Sequence, residues 1–318
     1  MSHNDYSAPL ESEFDMSAVN YEISTEENYM DPDAEFVGEY SSLRQSLDYS
    51  YHKRYSERRQ LFHDTIINRF RSTVIYDGDV VCERPERNWL VFTAGCMGSG
   101  KSHTLSWLSS RDLFPLWSFV RVDFDGLRDL LPETAEYQRR EPSTAGYLTQ
   151  KEVGYIAEVL TLTALQEGKN IIVDGTLRDY DWYAQYMSGL RYTFPSLKLA
   201  IFHVTVSPVT AQRRAQMRAK VTGRVVPMEL ILETMEKIPR AIEELSPYAD
   251  FVCTFRNEET PELIYTSTGD LSLTGFRDQW HMTCSVDSRS GYETSSIKGR
   301  EQDISLLNVF QYDQCAIL

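Results

Sequence analysis

Only five of the 318 residues are cysteine, and no two of them stand in a C-x-x-C pair. Cys82, Cys96, Cys253, Cys284 and Cys315 are odd in number and scattered. That pattern excludes a disulfide framework or a cysteine zinc site and predicts a reducing compartment. Long apolar runs are missing too: none approaches the length of about 18 residues that a membrane helix needs, and no signal-peptide pattern opens the chain. The reading is a soluble, cytoplasmic protein. A basic stripe is also lacking. The net charge is −15, yet residues 1–40 hold eleven acids and no Lys or Arg, which leaves 36 acids against 32 bases elsewhere. The acidity is a tail property, and nucleic acid is not an expected partner. His3, His52, His63, His103, His203 and His281 are scattered, and none is assigned to a metal.

What is there organises into an alternation. Residues 1–45 are acidic and rich in Ser, Asn and Tyr without sustained periodicity, and read as a disordered tail. From Tyr51 to Ser72, Leu61, Phe62, Ile66 and Phe70 recur at helical spacing, predicting a helix on the outside of the core. Apolar runs at Trp89–Ala94, Ser118–Val122, Asn170–Val173, Leu197–Val206 and Asp250–Thr254 then read as strands, with helices after the first four. The clearest helix is expected to open on a capping box, Thr149-Gln150-Lys151-Glu152, and to end before Gly168. The expected fold class is α/β: three layers, with a mostly parallel five-stranded sheet covered by helices on both faces. The domain is placed at 50–258 and a C-terminal extension at 259–318, where the stretch Ser285–Asp303 is polar.

The strongest motif follows the first strand. Gly95-Cys96-Met97-Gly98-Ser99-Gly100-Lys101-Ser102 fits G-x-x-x-x-G-K-[ST], with His103 opening the helix behind it. Glycines let backbone N–H groups curl around phosphate oxygens, and the helix adds its positive end. Lys101 would reach the β- and γ-phosphates of ATP, and the Ser102 hydroxyl would ligate Mg²⁺. A thiol at Cys96, beside a helix N-terminus and Lys101, is expected to have a lowered pKa and to be sensitive to oxidants.

In open α/β sheets, ligands bind at the C-terminal strand ends. The second strand ends in VRVDFDGLRDLLP, offering Asp123, Asp125 and Arg128; the third ends in IIVDGTLR, with Asp174, Thr176 and Arg178. Asp174 suits Mg²⁺ coordination through water, and Arg178 could fork onto a phosphate. After the fourth strand, Arg213, Arg214, Arg218 and Arg224 cluster with Lys220 between them, as in a lid that closes over the γ-phosphate.

In their order and spacing, GCMGSGKS, VDFDGLRDLLP, VDGTLR and TGRVVP resemble the zeta toxin family of P-loop kinases over roughly Asn88 to Phe255. The DGxxR and lid arrangement is also similar to nucleoside monophosphate kinases. The resemblance implies Asp125 as the base for an acceptor hydroxyl, and Thr176 and Arg178 in the acceptor or phosphate site. Arg224, with Arg214 or Arg218, would supply the lid arginines. Asp123 would belong to the substrate site. Bacterial members phosphorylate a sugar hydroxyl of UDP-N-acetylglucosamine. This chain differs in carrying Asp174 where a Glu is usual, in a lid denser in arginine, and in long extensions at both ends.

The expected activity is therefore ATP- and Mg²⁺-dependent phosphoryl transfer to a small-molecule hydroxyl. The alternatives are a catalytically idle nucleotide-binding protein, against which the intact Lys101, Ser102, Asp125 and Asp174 argue, and a GTPase-type switch, which lacks an N-K-x-D guanine motif. The terminal Cys315-Ala316-Ile317-Leu318 fits C-a-a-X with Leu at X. In a eukaryotic host it predicts geranylgeranylation of Cys315 and weak, reversible membrane association.

Overall fold

The computed structural model describes residues 14–72, 75–77, 80–82, 87–222 and 226–280. In chain order, α1 (Thr25–Tyr29), α2 (Ser41–Gln45) and α3 (Glu57–Arg71) precede a two-stranded hairpin of β1 (Ile75–Asp77) and β2 (Val80–Cys82). The main sheet and its helices follow: β3 (Trp89–Ala94), α4 (Lys101–Ser109), β4 (Phe119–Asp123), α5 (Phe124–Asp129), α6 (Thr134–Arg140), α7 (Ala145–Gln166) and β5 (Asn170–Asp174). Then come α8 (Tyr180–Thr193), β6 (Lys198–Thr205), α9 (Pro208–Thr222), α10 (Met228–Leu245), β7 (Phe251–Asn257), β8 (Pro261–Thr266) and α11 (Leu273–Asp278).

The sheet order is β4-β5-β3-β6-β7-β8, parallel throughout except for antiparallel β8. Its strands alternate between two buried faces, as the two-residue period of a covered sheet requires. Leu90, Phe92, Val120, Ile171 and Ile201 face one core with α3, α7, α8 and α10; Trp89, Val91, Phe119, Ile172 and Phe202 face the other with α4 and α11. The chain leaves β3 for β4 on one side and returns through β5 to β6 on the other, so the carboxyl end of β3 lies at the topological switch point. Among the described residues, no helix is long and apolar enough to cross a membrane.

Among the described residues the main sheet has one strand more than the five expected, and the β1–β2 hairpin was not expected either. β8 escaped notice because it is an edge strand: Pro261, Leu263 and Thr266 are buried while Glu262, Ile264 and Tyr265 are exposed, so no continuous apolar run marks it.

Residues 14–45, expected to lack structure, pack on the domain instead. A capping box between Ser24 and Glu27 opens α1, whose Thr25 and Glu26 are buried, and Phe14 packs edge-on against Phe62 and Tyr29. Buried Arg44 donates to Asp64 and to the carbonyls of Val37 and Gln60. Single aromatics and one buried cation anchor this segment, which explains its lack of periodicity.

A further difference lies in α7, which opens at Ala145, one turn before the expected capping box. Thr149 and Glu152 are wholly buried on it.

Candidate active site

β3 runs into the glycine-rich loop at Gly95, and α4 opens at Lys101. Gly98 and Gly100 adopt φ of +82° and +85°, which residues with a Cβ rarely tolerate. Sterics bar other residues too: a Cβ at Gly98 would lie 2.3 Å from the Ala211 carbonyl oxygen, and one at Gly100 would lie 2.2 Å from Asn257 Nδ2. Behind the loop, buried Asn257 donates through Nδ2 to Ser99 O (3.0 Å) and Gly100 O (3.3 Å). In a trans peptide, C=O and N–H point oppositely, so tying these carbonyls back turns the Gly100 and Lys101 amides forward. The Lys101 ammonium donates to Gly95 O at 3.1 Å, arching over the loop it would serve.

Lys101, Ser102, Asp123, Asp125, Asp174 and Arg218 line one cavity of about 320 Å³, with Thr176 and His103 also on its wall. The parallel register sets Asp123 of β4 beside Asp174 of β5 at the strand ends. Thr93 Oγ1 donates to Asp174 Oδ1 at 2.8 Å, and Ser102 Oγ donates to Asp174 Oδ2 at 3.4 Å. A hydroxyl and a carboxylate thus stand together where the phosphate loop meets α4. Asp123 caps α5, its Oδ1 accepting from the amides of Asp125 (3.1 Å) and Gly126 (3.2 Å). Burial, and then the neighbouring Asp174 carboxylate, push its pKa up. A cation between the two carboxylates would relieve that repulsion, so these donors fit Mg²⁺. Among the described residues, no group of three or more His, Cys, Asp or Glu side chains forms a cage of its own.

Asp125 accepts from Arg128 Nη1 on Oδ1 (2.7 Å) and from Arg218 Nη2 on Oδ2 (2.5 Å). The structure separates the two arginines that the sequence left as alternatives. Arg214 donates to the carbonyls of Asn257 (2.9 Å), Ser99 (3.3 Å) and Glu258 (2.5 Å), strapping α9 to the back of the phosphate loop. Arg218, one turn on, points across the cavity. Arg213 is exposed. Arg224 and Cys315 lie outside the described residues.

Arg178 does not line the main cavity. Its Nη1 donates to Thr234 Oγ1 of α10 at 3.4 Å beside a small adjoining cavity that Met97 and Thr176 also line. Leu177 turns the chain there, buried and with φ of +59°. Thr176 O accepts from the Gly95 amide at 3.3 Å. Cys96 departs from expectation: only 3% exposed, it packs with Val206, Ala211, Ala215 and Ile231, and burial pushes its thiol up despite Lys101. Sequence reasoning missed Asn257 altogether; a lone Asn ending a strand after an arginine-rich helix carries no pattern that marks it.

A β-strand, a glycine-rich loop and a helix gripping one cavity, with acids ending the next two strands on one side, Asp174 of β5 and Asp123 of β4, define a P-loop kinase. The zeta toxin family model matches residues 74–268, and the chain belongs to that family. It is an ATP-dependent kinase by class. Among solved structures, a chain of the PezAT chromosomal toxin–antitoxin system of Streptococcus pneumoniae is similar at 16% identity and a TM-score of 0.51, over 71% of this chain and 90% of that one. The AvrRxo1-ORF1:AvrRxo1-ORF2 structure with sulphate ions is similar at 12% identity and a TM-score of 0.52, over 81% and 82% of the two chains. Likeness at such identities speaks to the fold. No curated protein matches the sequence.

Proposed function

We propose that the chain transfers the γ-phosphate of ATP to a hydroxyl of a small molecule, a nucleotide-sugar or a related nucleotide. The observation that carries this reading is the placement of Asp125 in the same cavity as Lys101 and Ser102. The acceptor hydroxyl takes the place of Arg218 at Asp125 Oδ2. Asp125 receives its proton as the acceptor oxygen bonds to the γ-phosphorus and the bond to the ADP oxygen breaks. Arg218, released from the carboxylate, turns with Lys101 to the charge spreading over the transferred phosphoryl. Ser102 directly, and Asp174 through water, would hold Mg²⁺, which neutralises phosphate charge when bound. Thr93 keeps Asp174 aimed at that position. The nucleotide-sugar class is supported by the family alone.

The test is incubation with γ-labelled ATP, Mg²⁺ and separate UDP-sugars, nucleosides and nucleotides. Label should move to one acceptor class and not to water. Lys101→Ala should lower the single-turnover rate by about 10²-fold or more. ATP binding without transfer to any acceptor would favour the idle binding protein.

A further inference from the structure

Asp125 sits on a short helix at the mouth of a cavity, where a carboxylate has rotamer freedom to lose. Behind it stands a chain of buried side chains that phosphate chemistry does not require. Arg128, on α5 one turn after Asp125, is only 4% exposed. Its Nη1 donates to Asp125 Oδ1 at 2.7 Å and its Nε to Thr149 Oγ1 of α7 at 3.0 Å. The Thr149 hydroxyl donates to Ala145 O at 3.1 Å, which leaves a lone pair facing Arg128. The guanidinium plane is thereby set by α7, and with it the carboxylate that the plane touches.

The far side of the relay is braced from outside the region that the family model matches. Arg59 of α3, wholly buried, forks onto Glu133 (3.0 Å to each oxygen) and onto Glu152 (2.5 and 3.0 Å). Glu133 precedes Thr134, whose hydroxyl donates to Arg128 O at 2.6 Å; Glu152 lies one turn after Thr149 on α7. One guanidinium thus ties the segment that ends α5 to the helix that orients Arg128. An isolated buried charge on either carboxylate would be costly, so the brace holds firmly.

We propose that Arg128 and Thr149 are positioning residues that set the Asp125 carboxylate for proton abstraction, and that Arg59 fixes the spacing of the two elements that carry them. The inference rests on the kinase reading of Asp125. Fixing a base to within a fraction of an ångström matters because small misplacements cost large factors in rate.

Thr149→Val keeps the shape of the side chain and removes the acceptor. With ATP and whichever acceptor the wild type phosphorylates, kcat should fall about ten- to hundredfold. The ATP Kd and the acceptor KM should stay near wild type. Thr149→Ser restores the hydroxyl and should recover most of the rate; Arg128→Lys, which keeps the charge but not the fork, should not. Asp125→Asn, run alongside, separates the two ideas. Wild-type kcat in Thr149→Val with an inactive Asp125→Asn overturns the relay and leaves the kinase reading standing. Wild-type kcat in Asp125→Asn overturns the reading of Asp125 itself. A rise in KM at unchanged kcat in Thr149→Val also overturns the relay, since it would show a role in binding rather than in placing the base.

Discussion

Arg218 reaches from α9 across the cavity to Asp125, Nη2 to Oδ2 at 2.5 Å, joining α9 to α5. Arg214, one turn earlier on the same helix, also lines the cavity but is held on backbone carbonyls. The two should therefore fail differently. Arg218→Ala should lower kcat by about 10²-fold or more, with little change in ATP affinity, because its charge acts on the transferring phosphoryl. Arg214→Ala should instead weaken ATP binding and lower the melting temperature. Equilibrium ATP titration beside steady-state kinetics distinguishes them, and equal effects on kcat from both would refute the assignment.

Asn257 should behave as a structural part of the phosphate loop. Asn257→Ala releases the Ser99 and Gly100 carbonyls and should cost about 1–3 kcal/mol of stability. ATP affinity should fall with it, as the forward-turned amides lose their support. Denaturant unfolding with and without ATP measures both, and an unchanged midpoint would place the support elsewhere.

Acid should destabilise the brace in a defined window. Burial pushes His63 down to about 4, while its ring touches Glu152 at 2.7 Å. Burial alone would raise the Glu152 carboxyl, but Arg59 and His63 outweigh it and hold that carboxyl well below the usual range. Both groups bind protons more readily in the unfolded chain, so each contributes stability that is lost as pH falls. For His63 the loss begins below its unfolded value of about 6.5 and continues to about 4. For Glu152 it begins at the ordinary carboxylate value of about 4.3 and continues below it. His63→Gln should flatten the upper part of this slope, read as melting temperature between pH 7 and pH 4. An unaltered slope would show that His63 does not titrate there.

Cys96 should be inert in the folded protein. Native incubation with iodoacetamide at neutral pH should leave Cys96 and Cys253 unmodified, since both are buried and burial raises both thiols. Denaturant should expose them. Peptide mass analysis reads the result, and rapid native alkylation at Cys96 would contradict the packing.

Much of the site was legible because it sits at strand ends, where an apolar run stops abruptly at an acid or a glycine. Asp123, Asp125, Asp174 and the loop from Gly95 to Ser102 could be read this way. Arg214 and Arg218 could not be told apart, since four-residue spacing puts them on neighbouring parts of one helix. What separates them is the pair of carbonyls at Asn257 and Glu258, some forty residues later. Thr149 and Glu152 looked like a cap because T-x-x-E also arises when each residue meets a buried cation of its own. Those cations are Arg128 for Thr149 and Arg59 for Glu152, and Arg59 stands on α3, far from Glu152 in the sequence, so no local pattern announces the pairing.

The close approach of Gly98 to Ala211 carries a mechanical consequence. With the loop backbone in contact with the first turns of α9, and Arg214 donating to four carbonyls, the base of this arm would move with the nucleotide cradle. Any opening must pivot beyond Ala215, so the moving part is short and begins close to Arg218. In the proposed reaction, a brief stroke of that lever would trade a carboxylate for a phosphoryl group, and product would leave without the cradle being taken apart.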